Sequence, residues 1–155
     1  CNEKEKGLIF FFFLYLSNLI RQKVCVLARR LYVIALDKKV LKEPGFIKYN
    51  PQYKEGKNCY YVGESGYSAE KRFEIHKNKI PTRSGFSQHN KYVSKYGLHL
   101  SKKQYQNVPE FKTSDEGKAA EKNKARQLRK KGHAVYCDKQ ILKELLEEDI
   151  IILDK

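Results

Sequence analysis

Three short apolar runs constrain the fold of this chain more than any other feature of its sequence. They are rich in β-branched and aromatic residues, which is typical of buried strands: RLYVIALD at 30–37, CYYVG at 59–63 and HAVYC at 133–137. A loop with two prolines and two glycines joins the first two runs, and such a connection favours an antiparallel pair. Helical patterns separate the second run from the third. This order predicts an α+β fold in which helices pack on a small mixed sheet.

Two of the predicted helices have clear start signals. Ser68 is a favourable N-cap for a helix over about residues 69–78. Thr113 and Glu116 form a capping-box pattern before a long helix over about residues 114–131. Both helices therefore lie between the second and third strands.

Three further segments complete the predicted element order. HNKYVSKYGLHL, at residues 89–100, indicates a short helix that Gly97 ends. KQILKELLEED, at 139–149, is a charged amphipathic helix. IIILD, at 150–154, would suit an edge strand.

The N-terminal segment differs in composition from the rest of the chain. Residues 7–20 are predominantly apolar, but this run is short for a membrane span, which needs about 20 residues. The chain contains no methionine, and we expect residues 1–23 to reflect a mis-started reading frame or a weak anchor. The other predicted divisions are a main domain at 24–138 and a C-terminal amphipathic helix and tail at 139–155.

Cysteine usage bears on the compartment. The four cysteines form no C-x-x-C pair, and no His/Cys spacing is typical of a zinc site. Thiols of this kind fit a reducing compartment, so we expect a cytoplasmic protein. Attachment to a membrane through residues 7–20 is the alternative.

The charge of the chain points to a polyanionic partner. There are 32 lysines and arginines against 18 acidic residues, a net charge of +14. Nucleic acid is the first candidate for such a partner and an anionic membrane surface the second. The basic residues cluster at 71–103 and 118–131, which predicts a phosphate-binding face. Residues 139–155 carry more acidic than basic side chains and are expected to lie away from that face.

Glu121 is the first candidate for chemistry. On the long helix it shares a face with Gly117, Ala125 and Leu128, the apolar stripe of a lysine-rich helix. A carboxylate that points inward is costly unless it is paired or binds a cation. A salt bridge to a nearby Lys or Arg and a metal site explain the pattern equally well.

Arg72, His76 and the strand tyrosines form a second candidate group. One helical turn separates Arg72 from His76, so both could reach the same small anion. Strand alternation puts Tyr60 and Tyr61 on opposite faces, and Tyr32 lies on the first strand. The alternatives are a surface arginine with a partly buried histidine, and tyrosines that serve only packing.

Residues 30–137 resemble the GIY-YIG nuclease domain. The resemblance rests on four separated elements in the family's order: RLY at 30–32, YVG at 61–63, ESGYSAEKRFEIH at 64–76 and AAEKNKARQLRKKGHAVYC at 119–137. It implies a small central three-stranded antiparallel sheet flanked by helices. It also implies metal-dependent hydrolysis of a DNA phosphodiester bond. One departure is Arg30, which stands where the family has its first glycine.

The resemblance also implies a role for each candidate residue. Glu121 would hold one divalent cation, Mg²⁺ or Mn²⁺. Arg72 would stabilise the negative charge of the transition state. Tyr32 would orient or deprotonate the attacking water, while Tyr61 and His76 would position the phosphate and the water or exchange that role with Tyr32.

DNA is the expected partner, bound by a monomer or a transient dimer. Eight basic residues would hold the DNA backbone without reading sequence: Lys71, Lys77, Lys91, Lys95, Lys122, Lys124, Arg126 and Arg129. The alternative is a basic nucleic-acid-binding module without cleavage activity, which the departure at Arg30 leaves open.

Overall fold

The structure, a computed structural model, describes residues 28–82, 85 and 88–153. The strands in this part of the chain are β1 Arg30–Leu36, β2 Cys59–Ser65, β3 Gly97–Leu100 and β4 Ala134–Tyr136. The α-helices are α1 Pro44–Ile47, α2 Ala69–Asn78, α3 Lys91–Tyr96, α4 Ser114–Lys130 and α5 Lys139–Leu153. Two 3-10 turns lie at Lys38–Lys42 and Lys102–Gln104.

The described strands form one mixed sheet in the order β3-β1-β2-β4. β1 pairs antiparallel with β2 and with β3, whereas β2 pairs parallel with β4. The α+β class and the flanking of a small sheet by helices are confirmed. The prediction of three antiparallel strands is wrong, because there are four strands within the described residues and one of them is parallel to its neighbour.

Two features of the chain explain this difference. α4 packs against both β2 and β4 and returns the chain to the same end of the sheet, as a parallel strand requires. α3 ends before Gly97 as predicted, but the chain continues directly as β3 and pairs with β1. Leu98 and His99 of β3 are exposed, so this strand lacks the apolar run that marks a buried one.

A glycine of β2 allows a tyrosine of β1 to lie across the sheet. Tyr32 is paired with Gly63 in the β1–β2 register. A Cβ atom at residue 63 would lie 2.5 Å from the Tyr32 Oη and 2.6 Å from its Cζ. Any larger residue would therefore displace the Tyr32 ring.

The predicted caps begin both helices that carry candidate site residues. The Ser68 hydroxyl accepts a hydrogen bond from the backbone N–H of Lys71 at the start of α2. At the start of α4, Thr113 and Glu116 form the reciprocal capping box. These caps fix where each helix begins and therefore which of its side chains face the sheet.

α4 and α5 complete the core on the C-terminal side of the chain. The α4 side chains predicted to face inward are buried, namely Glu121, Ala125 and Leu128. Ile141 and Leu142 of α5 are buried in the same core. α5 extends to Leu153, so the edge strand predicted at 150–154 is wrong; no glycine or proline interrupts the helix over residues 139–153.

No helix within the described residues is long and apolar enough to cross a membrane. The N-terminal segment 1–23, with its apolar run at 7–20, lies outside the residues that the structure describes. The start of the main domain, predicted at residue 24, also lies outside them. β1 is the first regular element of the described part.

Candidate active site

Two tyrosines and a histidine from three different elements meet in the interior. The Tyr32 Oη of β1 lies 3.0 Å from the Nε2 of His76 on α2. The ring of Tyr61 on β2 lies 6.1 Å from that of Tyr32 and 5.3 Å from that of His76, between ring centroids. Tyr60, the other tyrosine of the pair, contacts Asn58 and His133 instead. Strand alternation therefore separates Tyr60 from Tyr61 as the sequence pattern predicts.

The hydrogen bonds of His76 determine which of its nitrogens carries the proton. The backbone N–H of Asn90 donates to the Nδ1 of His76 over 2.9 Å. Because Nδ1 accepts, the neutral ring carries its proton on Nε2, and this N–H donates to the Tyr32 Oη. Burial lowers the pKa of His76 to about 3, with the positive charge of Arg72 and the proximity of His89 as smaller causes. His76 is therefore a neutral hydrogen-bond donor at neutral pH.

Both site tyrosines are neutral phenols at neutral pH. Burial raises the pKa of Tyr32 to about 12, although the nearby Arg72 acts to lower it. Burial also raises the pKa of Tyr61 well above its usual value. A phenolate at Tyr32 therefore needs additional positive charge beside it.

Arg72 offers an unused donor next to Tyr32. Its Nη2 donates to the backbone carbonyl of Gln88 over 2.8 Å. Its Nη1 is shielded from solvent and makes no well-formed hydrogen bond among the described residues, although the guanidinium lies near enough to the Tyr32 hydroxyl to lower the pKa of Tyr32. A buried donor without an acceptor costs free energy, so an oxygen of a bound anion would satisfy it.

Glu121 is a buried carboxylate that no cationic side chain neutralises. It is 5% exposed, and its Oε1 accepts the backbone N–H of Asp138 over 2.9 Å. No ion pair of the described part of the chain includes it. Burial raises the pKa of Glu121 to about 7, against the lowering effect of the Asp138 N–H. The salt bridge that the sequence left open as an explanation is thus not found in this part of the chain.

Glu121 would have to hold a metal ion without a cluster of protein ligands. Across residues 28–82, 85 and 88–153, no three His, Cys, Asp or Glu side chains come together as a metal-binding group. The acidic groups whose charges raise the pKa of Glu121 are Asp138 and Glu64. The Asp138 carboxylate already accepts backbone N–H groups from Gln140 and Ile141 at the start of α5. Glu121 is therefore the candidate ligand, with water and substrate oxygens as the others.

The basic side chains of residues 71–103 lie mostly at the surface. Lys71 and Lys95 are exposed and pair with Glu74 and Glu43. Lys91 is also exposed, and its ammonium lies over the ring of its neighbour on α3, Tyr92. Exposed pairs of this kind are weak and exchange readily for phosphate contacts. Lys71, Lys91 and Lys95 are therefore placed where a polyanion could reach them.

Lys77 has a structural role within the same segment. Its Nζ donates to the backbone carbonyls of Ser94 and Gly97 over 3.4 and 3.0 Å. These carbonyls lie at the end of α3 and the start of β3. Lys77 therefore ties α2 to the α3–β3 junction in addition to any contact that it makes with a ligand.

Part of the basic cluster of α4 pairs with the acidic side chains of α5. Lys122 pairs with both Glu144 and Glu148, and Arg126 forms a two-pronged pair with Glu148. Lys124 donates to the side chain of Gln127 on its own helix. The prediction that the acidic C-terminal segment lies away from the basic face is wrong, because the two helices place opposite charges side by side.

Arg129 is the basic residue of α4 that is furthest from solvent. It is 3% exposed, and its guanidinium binds the Asp149 carboxylate at 2.7 Å and the carbonyl of Tyr49 at 2.6 Å. It also lies 3.3 Å from the Asn50 side-chain oxygen. The structure does not bring Arg129 to a surface that DNA could contact.

Arg30, at the position of the family's first glycine, lies in regular β1 backbone. Its guanidinium reaches outward to Glu110 at 2.7 Å and to the carbonyl of Gly66 at 3.4 Å. The side chain is 40% exposed. Arg30 therefore does not occupy the space around Tyr32 and His76.

Several residues of the site escaped prediction from the sequence. Asn90 is the N-cap of α3, a role that an Asn before a short helix can indicate, but its contact with His76 joins two different elements. The carbonyl of Gln88 and the N–H of Asp138 act through the backbone, and no sequence signal marks them. Tertiary contacts alone identify these three.

Comparison of the chain with protein-family models, with curated proteins and with solved structures found no match. Any function proposed for this chain therefore rests on the geometry of the site. Glu121 and Arg72 both act electrostatically on Tyr32 and Tyr61, and Arg72 also acts on His76. They form a single candidate site.

Proposed function

We propose that this protein is a metal-dependent endonuclease that hydrolyses DNA phosphodiester bonds with one divalent cation held by Glu121. The observation that carries the proposal is the buried Glu121 carboxylate without a cationic partner among the described residues. Keeping such a charge in the interior costs free energy unless a cation binds it. The charge of Glu121 acts on Tyr32 and Tyr61, and this link to the tyrosine–histidine group favours hydrolytic chemistry over a structural ion site.

Glu121 suits Mg²⁺ or Mn²⁺. Both are hard cations that prefer oxygen ligands, and Mg²⁺ keeps several waters and takes further oxygens from phosphate. When bound, the cation supplies Lewis acidity to the scissile phosphate. A single protein carboxylate is consistent with this mode of binding.

Arg72 would bind the scissile phosphate through the donor that lacks a partner. Its Nη2 is held by the Gln88 carbonyl, so the guanidinium has a fixed orientation. Its Nη1 is then available to an oxygen that gains charge as the attacking water adds to phosphorus. This oxygen would satisfy the donor best in the transition state.

Tyr32 would orient the attacking water through its hydroxyl oxygen. His76 donates to this oxygen and cannot accept a proton at Nε2 in the tautomer that Asn90 imposes. Tyr32 can accept the water proton only after losing its own, and the charge of Arg72 acts in that direction by lowering the Tyr32 pKa. Tyr61 would pack beside this group and position the substrate.

A plasmid-nicking assay tests the proposal. The purified protein is expected to cleave in Mg²⁺ or Mn²⁺ and to stop when EDTA removes the metal. Glu121→Gln keeps the shape of the side chain but removes its charge, so it should abolish cleavage while DNA binding in EDTA stays unchanged.

Two results would contradict the proposal in different ways. Cleavage by Glu121→Gln at the wild-type rate means that Glu121 does not hold the metal. DNA binding by the wild type without cleavage in either metal means that the protein is a nucleic-acid-binding module and not a nuclease.

A further inference from the structure

A cavity of about 250 Å³ opens beside the proposed site, where β1 begins and β2 ends. Two arginines are among the side chains that line it: Arg29, Glu64, Ser65, Tyr67, Arg72 and Gln88. Arg72 links this cavity to the tyrosine–histidine group, since its charge acts on both Tyr32 and His76. The second arginine, Arg29, has no part in the function proposed so far.

Arg29 is held rigidly at both its backbone and its side chain. Its N–H and carbonyl both bond to the backbone of Phe111, at 2.7 and 2.8 Å. Its Nε and Nη2 donate to the two carboxylate oxygens of Glu64, at 2.7 and 2.8 Å. This fork occupies one edge of the guanidinium. The Nη1 group has no hydrogen-bond partner in the described part of the chain.

Glu64 is the buried member of this pair. Its side chain is 6% exposed, whereas that of Arg29 is 31% exposed. A Cβ atom at Gly117 of α4 would lie 2.8 Å from the Glu64 Oε2, so α4 can pack this closely only because residue 117 is glycine. A buried ion pair contributes little net stability compared with apolar packing. The arrangement is better explained as a fixed support that presents Arg29 to the cavity.

The charge of the cavity indicates the chemical class of its ligand. Two guanidinium groups and one carboxylate leave a single excess positive charge among Arg29, Glu64 and Arg72. A phosphodiester carries one negative charge, and each of its free oxygens can accept a hydrogen bond from a single guanidinium N–H group. The Nη1 groups of Arg29 and Arg72, which make no well-formed hydrogen bond among the described residues, therefore match phosphate oxygens of a nucleic-acid strand.

We propose that Arg29 is a second phosphate-binding arginine, which contacts the phosphodiester next to the one being cleaved. In this arrangement Glu64 is a positioning residue that orients Arg29. The proposal rests on the nuclease function proposed above, because it takes Arg72 as the residue on the scissile phosphate. It adds a contact that fixes the register of the strand in the site.

The first test measures DNA binding in EDTA, so that cleavage does not contribute. Fluorescence anisotropy of a duplex oligonucleotide is followed at several salt concentrations for the wild type, Arg29→Gln and Arg30→Gln. Arg30→Gln is the matched control, since it removes the same charge from the adjacent, outward-facing residue. Arg29→Gln is expected to reduce the slope of log K against log salt by about 0.9, the value for one phosphate contact in duplex DNA. Equal slopes for the two variants would overturn the proposal.

The second test locates the contact on the DNA. Single phosphates on either side of the cleaved bond are replaced by neutral methylphosphonates. One neighbouring replacement should weaken binding to the wild type but have no further effect on Arg29→Gln, because the two changes remove the same contact. Undiminished effects in Arg29→Gln at every position would contradict the assignment.

Arg29→Gln leaves the buried Glu64 carboxylate without its cation and can destabilise the fold. The double variant Arg29→Gln/Glu64→Gln avoids this, because two amides can hydrogen-bond across the same gap. It removes one positive and one negative charge and so keeps the net charge of the wild type. It is therefore used in the methylphosphonate test, where the same expectation holds. Failure of this inference differs from failure of the proposed function. A wild type that neither binds nor cleaves DNA refutes both, whereas a wild type that cleaves DNA while the Arg29 variants bind like Arg30→Gln refutes only the second arginine.

Discussion

The two basic segments of this protein look alike in sequence and differ in the structure. In the first, residues 71–103, Arg72 and His76 belong to the candidate site, and Lys71 and Lys95 form ion pairs at the surface. In the second, residues 118–131, Lys122, Arg126 and Arg129 pair with acidic side chains of α5. Clustered charge in a sequence therefore does not show by itself which basic side chains remain available to a ligand.

Two carboxylates on neighbouring helices show the same contrast. Glu148 of α5 accepts from Arg126 and Lys122, and Arg126 is the main cause that lowers its pKa to about 2. Glu121 of α4 has no such partner in the described residues, and burial raises its pKa to about 7. A bound cation would keep Glu121 deprotonated, as Arg126 and Lys122 keep Glu148.

Removal of one arginine from each segment gives the largest expected difference. Arg72→Ala should lower the cleavage rate on the order of 10²–10³-fold, because it removes a donor to the transition state. Arg126→Ala, the matched change on α4, should leave the rate within about threefold, since its guanidinium is engaged by Glu148. Single-turnover cleavage in Mg²⁺ measures both. Similar rates for the two variants would show that Arg72 is no more involved in cleavage than Arg126.

The free energy of unfolding should depend more on an arginine of the second segment than on Arg72. Arg129→Ala removes a buried guanidinium and leaves the Tyr49 carbonyl and Asp149 without their partner, so the free energy of unfolding should fall by about 3 kcal/mol. Arg72→Ala should lower it by far less, since the guanidinium of Arg72 bonds only the Gln88 carbonyl and forms no ion pair among the described residues. Urea unfolding followed by circular dichroism tests this. Equal losses would show that both arginines are structural.

The two carboxylates also predict the pH dependence of cleavage. Glu121 must be deprotonated to hold a cation, so at subsaturating Mg²⁺ cleavage should fall about tenfold per pH unit below about 7 and level off above it. In the metal-free protein the folded-state pKa lies above the ordinary value of 4.5, so stability should decrease as pH rises from about 4.5 to about 7. Glu121→Gln should therefore be more stable than the wild type at pH 8 and gain much less at pH 5. A gain that is equal at the two pH values would contradict the assigned protonation.

The smallest expected effect concerns the lysines. Lys91→Gln, on the exposed part of the first segment, should reduce the slope of log K against log salt for duplex binding by about 0.9. Lys122→Gln should change it little, because Lys122 is held between Glu144 and Glu148. Anisotropy titrations in EDTA compare them. A larger change for Lys122 would mean that α5 moves away from α4 when DNA binds.

The elements with strong local signals were the ones that the sequence predicted well. β1, β2 and the starts of α2 and α4 have apolar runs or caps that act within a few residues. β3 was missed because it is only four residues long and partly exposed. The direction of β4 depends on how α4 crosses the sheet, which is a tertiary property.

The candidate site could also be predicted only in part, because some of its contacts join residues far apart in the sequence. Tyr32, Tyr61 and His76 were expected together, and the structure brings them into contact. The fork between Arg29 and Glu64 joins residues 35 positions apart, and no spacing rule identifies such a pair. The packing of α5 against α4 could not be predicted from the sequence either, because charge patterns within each helix do not indicate which helix packs beside it.

The proton of His76 is held in place by the main chain. The group that donates to its Nδ1 is the peptide N–H of Asn90, which every amino acid except proline supplies. Substitution of the Asn90 side chain therefore leaves this donor intact as long as α3 begins at the same residue. The path of the backbone therefore determines which ring nitrogen of His76 carries the proton. This can stay the same when the surrounding side chains are substituted.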